Sequence, residues 1–389
     1  MSDKNFETEA IRTQIERSQF QEHTTPMYIT SSFVFDDAED MRASFTEEKI
    51  KNIYSRYSNP NTSEFVEKVV NMEGGEDGYA FASGMAAIYS TFAALLNSGD
   101  HIVSVRSIFG STHTLFTKYF PKWNITTTYF DINNPTEIEG LIKPSTKILY
   151  AESPTNPGVD IIDLELLGRI AKKHNLMLVI DNCFATPYLQ QPIRYGADLV
   201  IHSATKLMDG QGRVLGGVVV GRANLIREIY LFSRNTGPSL SPFNAWVLSK
   251  SLETLAVRVD RHCENALKIA EHLENNIHIS NVKYPFLKSH PQYEIAQKQM
   301  KLGGNIIAIE VKGGIEAGRK FLDAIKMCSL SANLGDTKTI VTHPASTTHS
   351  KLSEEERLTV GITPGLVRIS VGLENVNDIL QDINQALSS

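Results

Sequence analysis

Short, mostly apolar, strand-like runs punctuate the first two thirds of the chain, at 100–105, 147–151, 176–180, 199–201 and 217–220. Because these runs do not strictly alternate apolar with polar residues, they predict strands covered on both faces rather than strands with one face in water. Helical stretches such as 163–174 separate them, and strands alternating with helices argue for a mostly parallel sheet sandwiched between helices. From 243 to 273 the pattern is helical and broken by neither proline nor glycine, which predicts one long helix joining two domains. Beyond it, strand-like 305–311 and 366–371 mix with helix-like 315–325 and 376–387, the pattern of a smaller α+β unit. The first residues, to about 57, show little periodicity and suit an arm. The resulting division is an arm at 1–60, a large α/β domain at 61–253 and a small α+β domain at 254–389, without internal repeat or low-complexity linker.

Chemistry enters where the apolar runs end. The run 176–180 leads into Asp181, so a central strand presents a carboxylate at the ligand crevice of an open α/β sheet. The run 199–201 leads through His202 into Ser203, Ala204, Thr205 and Lys206, placing a lysine at a neighbouring strand end. Apolar backing disfavours the ammonium form of such a lysine and suits its amine to Schiff-base chemistry. An acid and an amine together suggest pyridoxal phosphate: the carboxylate would pair with the protonated pyridine nitrogen and the lysine with the aldehyde carbon. For the phosphate, Ser83, Gly84 and Met85 form a small-residue turn opening a helix, whose first amides attract anions. An ordinary N-cap with a close-packed glycine describes the same string. Tyr54 and Arg56 offer a hydroxyl and a fork-shaped cation, although as a bare string 54–60 also describes a solvated loop.

Six strings occur together along the chain: YSRYSNP at 54–60, ASGMAA at 82–87, ESPTNP at 152–157, IDNCFATP at 180–187, HSATK at 202–206 and LVRISVGLE at 366–374. In this combination and order the chain resembles the Cys/Met metabolism family of pyridoxal-phosphate enzymes, which includes cystathionine γ-synthase, cystathionine lyases, methionine γ-lyase and homoserine-ester sulfhydrylases. The resemblance covers nearly the whole chain. It implies an aspartate-aminotransferase-like fold (fold type I), Lys206 as the catalytic lysine, and cofactor contacts from Tyr54, Arg56, Ser83, Gly84, Met85, Phe109, Asn156, Asp181, Ser203 and Thr205. It also implies that Arg368 receives the substrate α-carboxylate with Asn156. Asn333 is carried over beside that carboxylate at a position where many relatives have serine. An arginine inside the apolar strand 366–371 is costly to bury without a partner, which agrees with that role. The resemblance further implies a homo-oligomer whose catalytic unit is a dimer, assembled as a tetramer, with the Tyr54–Arg56 loop reaching a neighbouring subunit's phosphate. His343 and His349 could line an entrance, but lone histidines are more often structural.

Composition narrows the partners. The 389 residues carry a net charge of -6, which gives no reason to expect nucleic acid or an anionic membrane surface. The polar start of the chain lacks the apolar core of a signal peptide, and the expectation is a cytoplasmic protein. Three cysteines without metal-ligand spacing argue against a disulfide framework or a structural metal, and Cys183 reads as a small core residue.

One departure from the resembled family bears on the reaction. Most of its lyases and synthases have tyrosine before the glycine of the ring-stacking loop, where this chain has Phe109 before Gly110. Phenylalanine can stack but cannot transfer a proton. A thiolate leaving group, of thiol pKa about 8.5, gains from an acid as it departs, while a carboxylate, of pKa about 4.3, leaves unassisted. Phe109 therefore favours an ester at Cγ and resembles the pattern of sulfhydrylases acting on O-succinylhomoserine; enzymes acting on O-acetylhomoserine are usually longer and keep tyrosine. The expected reaction is γ-replacement, forming homocysteine from an O-acylhomoserine and sulfide or a thiol. Cystathionine γ-synthase, with cysteine as the thiol, is the alternative, and a methionine or cystathionine lyase is disfavoured by Phe109.

Overall fold

A computed structural model describes residues 4–347, 350, 353–359 and 361–389. Seven strands form the larger sheet: β1 (Asp77–Phe81), β2 (His101–Val105), β3 (Thr126–Phe130), β4 (Thr146–Glu152), β5 (Met177–Asp181), β6 (Leu199–His202) and β7 (Gly217–Gly221). Their order is β1-β7-β6-β5-β4-β2-β3. From β6 to β3 every pair is parallel, and only β7 runs against both its neighbours. Every residue of β2, β6 and β7 is buried, which is why these strands read as mostly apolar runs. The two edge strands did not stand out in the sequence. Asp-Gly-Tyr-Ala-Phe in β1 and the three threonines of β3 are only partly buried, so neither carries a long apolar signal.

Helices cover the sheet where their ends are chemically marked. Leu164–His174 begins at Asp163, whose carboxylate accepts the Leu166 N–H. It ends with Lys172, Lys173 and His174, and the caps and charges at both ends oppose the helix dipole. Its buried side is Leu164, Leu167, Ile170 and Ala171.

The long helix expected over 243–273 is instead two helices, Pro242–Leu252 and Leu255–Leu273. No proline or glycine causes the break. Two buried cations capture carbonyls at the end of the first helix: Lys68 donates to the Ser249 carbonyl at 3.3 Å and Arg258 to the Ser251 carbonyl at 2.9 Å. Thr254 then adopts a non-helical φ of -113° and ψ of 8°. The competing donors come from outside the local pattern, so periodicity did not reveal them.

A second sheet of five strands follows: β8 (Ile279–Lys283), β9 (Ile306–Val311), β10 (Ser329–Leu330), β11 (Ile340–Thr342) and β12 (Leu366–Ser370), ordered β10-β11-β12-β9-β8. Only β10 and β11 pair in parallel. The helices Gly314–Ala324 and Val376–Leu387 bury apolar side chains with this sheet in one cluster. His343 is buried, and its ring nitrogens meet the Ser346 hydroxyl at 2.7 Å and the Pro364 carbonyl at 2.8 Å, which is a structural placement. His349 lies outside the described residues.

The N-terminal segment is tied down at a few polar points. Glu64 accepts the Ile15 N–H at 3.2 Å and the hydroxyls of Thr25 and Ser249, while the Trp246 indole donates to the Thr25 carbonyl at 2.7 Å. Between these ties the segment keeps large apolar side chains exposed, including Phe20, Ile29, Val34 and Ile50.

Candidate active site

Adjacent strands β4 and β5 end in register on Glu152 and Asp181, and both carboxyl groups are buried. Asp181 accepts the Cys183 N–H at 3.0 Å and the Tyr150 hydroxyl at 3.5 Å. Burial pushes its carboxyl up to about 6. Glu152 accepts the Phe109 N–H at 2.8 Å, and burial together with the neighbouring Asp181 holds its carboxyl well above the ordinary range. Among the described residues neither carboxyl has a lysine, arginine or histidine nitrogen at ion-pair distance. Asp181 was legible in the sequence and Glu152 was not assigned a role. The same signal, an apolar run closing on a carboxylate, marks both.

The turn after β6 carries Lys206. Its amine is half-buried and donates to the Asn333 side-chain oxygen at 2.6 Å. Burial lowers its pKa, against a smaller opposing pull from Cys183 and with a still smaller push from the positive Arg368, so a neutral amine is easier to reach than on a solvated lysine. Arg368 stands in the middle of β12, 6 % exposed. Its guanidinium donates to the Asn156 side-chain oxygen at 2.9 Å, the Asn333 carbonyl at 3.0 Å and the Thr342 hydroxyl at 3.4 Å. All these acceptors are neutral, and its Nε has no partner. Burial lowers its pKa only to about 10, so the group keeps its charge at neutral pH. A buried cation with neutral neighbours and an idle N–H has the chemistry to receive a carboxylate. Thr342 was not anticipated, because nothing in its local sequence separates it from other strand threonines.

Ser83 caps the helix Gly84–Leu95, accepting the Ala86 N–H at 3.1 Å. The amides of Gly84 and Met85, ahead of that bond, find no acceptor among the described residues. The turn is wedged against two other segments: a Cβ on Gly84 would lie 2.6 Å from the Ser203 Cβ, and one on Gly217 would lie 2.2 Å from the Ser83 carbonyl oxygen. Glycine is required at both points by close approach. Ser203 thus borders the open amides. Thr205 faces elsewhere in part, its hydroxyl donating to the Gly216 carbonyl at 3.3 Å and accepting the Gly216 N–H at 3.1 Å.

One expected site residue, Arg56, makes its contacts away from Lys206 within this chain. Arg56 lies 4.9 Å above the Tyr57 ring and 5.6 Å from the Tyr54 ring, and donates to the Arg234 carbonyl. It lines a separate cavity of about 870 Å³ with Tyr79, Arg227, Tyr230 and Arg234. Phe109 is held near the strand ends by its amide, and its side chain is 42 % exposed.

These residues fit pyridoxal phosphate: a buried carboxylate lacking a cation, a depressed lysine amine, and open helix amides for a phosphate. Among the described residues no cluster of side chains could hold a metal ion, and no helix is long and apolar enough to cross a membrane. Residues 7–388 match the family described as Cys/Met metabolism PLP-dependent enzyme. The chain is 45 % identical over 384 residues to an O-succinylhomoserine sulfhydrylase of Pseudomonas aeruginosa, covering 99 % of this chain and 95 % of that one. It is 43 % identical over 387 residues to an L-methionine γ-lyase of Porphyromonas gingivalis, covering 99 % and 97 %. A crystal structure of a candidate O-acetylhomoserine (thiol)-lyase of Campylobacter jejuni, holding a pyridoxyl-lysine phosphate, superposes with a TM-score of 0.95 at 35 % identity, over 99 % of this chain and all of that one. The chain therefore belongs to the Cys/Met metabolism PLP-dependent enzymes, with the type I fold of that family and pyridoxal phosphate as its cofactor.

Proposed function

We propose that this enzyme catalyses γ-replacement, converting O-succinylhomoserine and hydrogen sulfide to homocysteine and succinate. The observation that carries this reading is Phe109, an aromatic residue without a hydroxyl on the loop held at the ends of β2 and β4. When bound, pyridoxal phosphate supplies an electron sink for the pair released as the substrate Cα–H bond breaks. Lys206 would hold the cofactor, and its amine would move protons at the substrate Cα and Cβ. Asp181 would pair with the protonated pyridine nitrogen. Gly84, Met85 and Ser203 would receive the phosphate, and Arg368 and Asn156 would orient the substrate through its carboxylate. The Cγ–O bond breaks with its electrons going to succinate, which needs no proton to leave. Sulfide forms the new Cγ–S bond, and the protons return to Cβ and Cα.

Steady-state comparison of sulfide with cysteine, each with the succinyl and acetyl esters, tests the assignment. The expected order places sulfide with the succinyl ester first and elimination from methionine far behind. Preference for cysteine would make the enzyme a cystathionine γ-synthase, and dominant methionine elimination would make it a lyase. In the same assay, Phe109→Tyr should raise thiol elimination more than ester replacement, near the lower end of the roughly 10²- to 10⁴-fold range of positioned acid–base groups. An unchanged ratio in a folded, cofactor-loaded variant would mean that pocket shape, not the missing hydroxyl, sets the reaction.

The separation of Arg56 from Lys206 supports a site completed by a second copy of the chain, with Tyr54 and Arg56 of the 1–60 arm serving the neighbour's phosphate. Inactive Arg56→Ala and Lys206→Ala subunits, once exchanged, should then regain activity, because a mixed dimer contains one site with both residues intact. Absence of recovery after demonstrated exchange argues for sites built from one chain.

A further inference from the structure

The end of β4 holds a second buried carboxyl that the proposed reaction does not use. Glu152 is 4 % exposed, stands in register with Asp181, and spends one oxygen on the Phe109 amide. The titratable groups around the pair are Tyr150 on β4, Cys183 after β5, His202 at the end of β6 and Lys206 beyond it. None of them forms an ion pair with either carboxyl among the described residues. Two buried carboxyls side by side, without a cation, hold one negative charge between them.

We propose that Glu152 is a positioning residue: it stays a neutral carboxylic acid, so that the pair's single charge rests on Asp181, and it anchors the loop carrying Phe109. The proposal rests on the reading above that Asp181 meets the cofactor's protonated pyridine. A cation there favours ionising the carboxyl it touches, and the other must then keep its proton. Asp181 accepts the Tyr150 hydroxyl and the Cys183 amide, bonds that favour its charged form. Glu152 holds the amide of the aromatic loop. Its burial and the repulsion from Asp181 oppose ionisation and outweigh the backbone N–H bonds from Phe109 and Asn156, which favour it. A glutamate ionised here would repel Asp181 and weaken the acid–pyridinium pair, whereas a neutral acid keeps the acceptor that Phe109 requires.

One consequence follows from linkage and another from the Phe109 hydrogen bond. A carboxyl raised in the folded state stabilises the protein fully below its unfolded pKa, about 4.3, and the contribution is lost as pH rises through the raised folded value. Wild-type apoprotein should therefore lose thermal stability relative to Glu152→Gln on the alkaline side, since the amide cannot ionise. The amide also accepts the Phe109 N–H, so Glu152→Gln should hold the cofactor within about threefold of wild type, while Glu152→Ala, which orphans that N–H, should weaken it by about tenfold or more.

The deciding measurement is infrared spectroscopy of the apoprotein at neutral pH, with a protonated carboxylic acid band expected in wild type and missing in Glu152→Gln. If that variant does not fold, wild type containing isotope-labelled glutamate assigns the band instead. Absence of a glutamic acid band, or a Glu152→Gln variant binding cofactor as poorly as Glu152→Ala, overturns the proposal. The infrared readout uses no substrate. An enzyme that shows the band but makes no homocysteine would thus refute the proposed reaction and leave the state of Glu152 established.

Discussion

Lys206→Ala is expected to abolish covalent attachment of pyridoxal phosphate and to reduce turnover by at least the roughly 10²- to 10⁴-fold associated with one positioned acid–base group. The loss should exceed that range, because the same amine is assigned both to holding the cofactor and to moving the protons at Cα and Cβ. Lys206 is half-buried, with Asn333 accepting its proton at 2.6 Å, so alanine removes the amine without opening a large apolar cavity. Borohydride reduction of wild type followed by peptide mapping should place the cofactor label on the peptide containing Lys206. A label on another lysine, or a Lys206→Ala protein that still fixes the cofactor, would remove the assignment. Added small amines should restore part of the proton transfer in the variant if its deficit is chemical, and none of it if the variant is misfolded.

Arg368→Lys should raise KM for the amino-acid substrate by roughly 10- to 150-fold, the equivalent of about 1.5–3 kcal/mol for one charge-assisted hydrogen bond. The charge survives this change, but the fork does not. Arg368 now reaches Asn156 from one terminal guanidinium nitrogen and Asn333 and Thr342 from the other, a geometry that a single ammonium cannot reproduce. The effect should fall mainly on KM, with cofactor absorption intact, because the residue is assigned to orienting substrate rather than to the reacting atoms. Equal loss of cofactor binding would show that Arg368 instead supports the fold around β12. Arg368→Leu should be worse than lysine, since it leaves the carboxylate to be buried without a cation.

Much of the fold could be read from local pattern. Strands β2, β4, β5, β6 and β7 are buried along most of their length on both faces, and that burial writes a mostly apolar run into the sequence. The edge strands β1 and β3 lack it because one side is partly open, and the break between Leu252 and Leu255 lacks it because its cause lies in Lys68 and Arg258 side chains reaching in from elsewhere. The positions of Asp181 and Lys206 were legible for a related reason: Asp181 directly follows an apolar run and Lys206 lies in the turn just beyond one, and the ends of such buried strands are where an open sheet places its crevice.

What surrounds them was decided only by tertiary structure. Arg368 meets Asn156 across 212 positions of sequence, and Lys206 meets Asn333 across 127. Those contacts depend on how β12 and the segment before β11 lie over the ends of β4 and β6, and no spacing within either segment encodes that. Glu152 shows the boundary between the two kinds of information. The sequence by itself determined that a carboxyl closes β4. That it lies beside Asp181, the adjacency on which the proposed sharing of one charge rests, follows from strand order, because β4 and β5 are neighbours and their last residues stand in register.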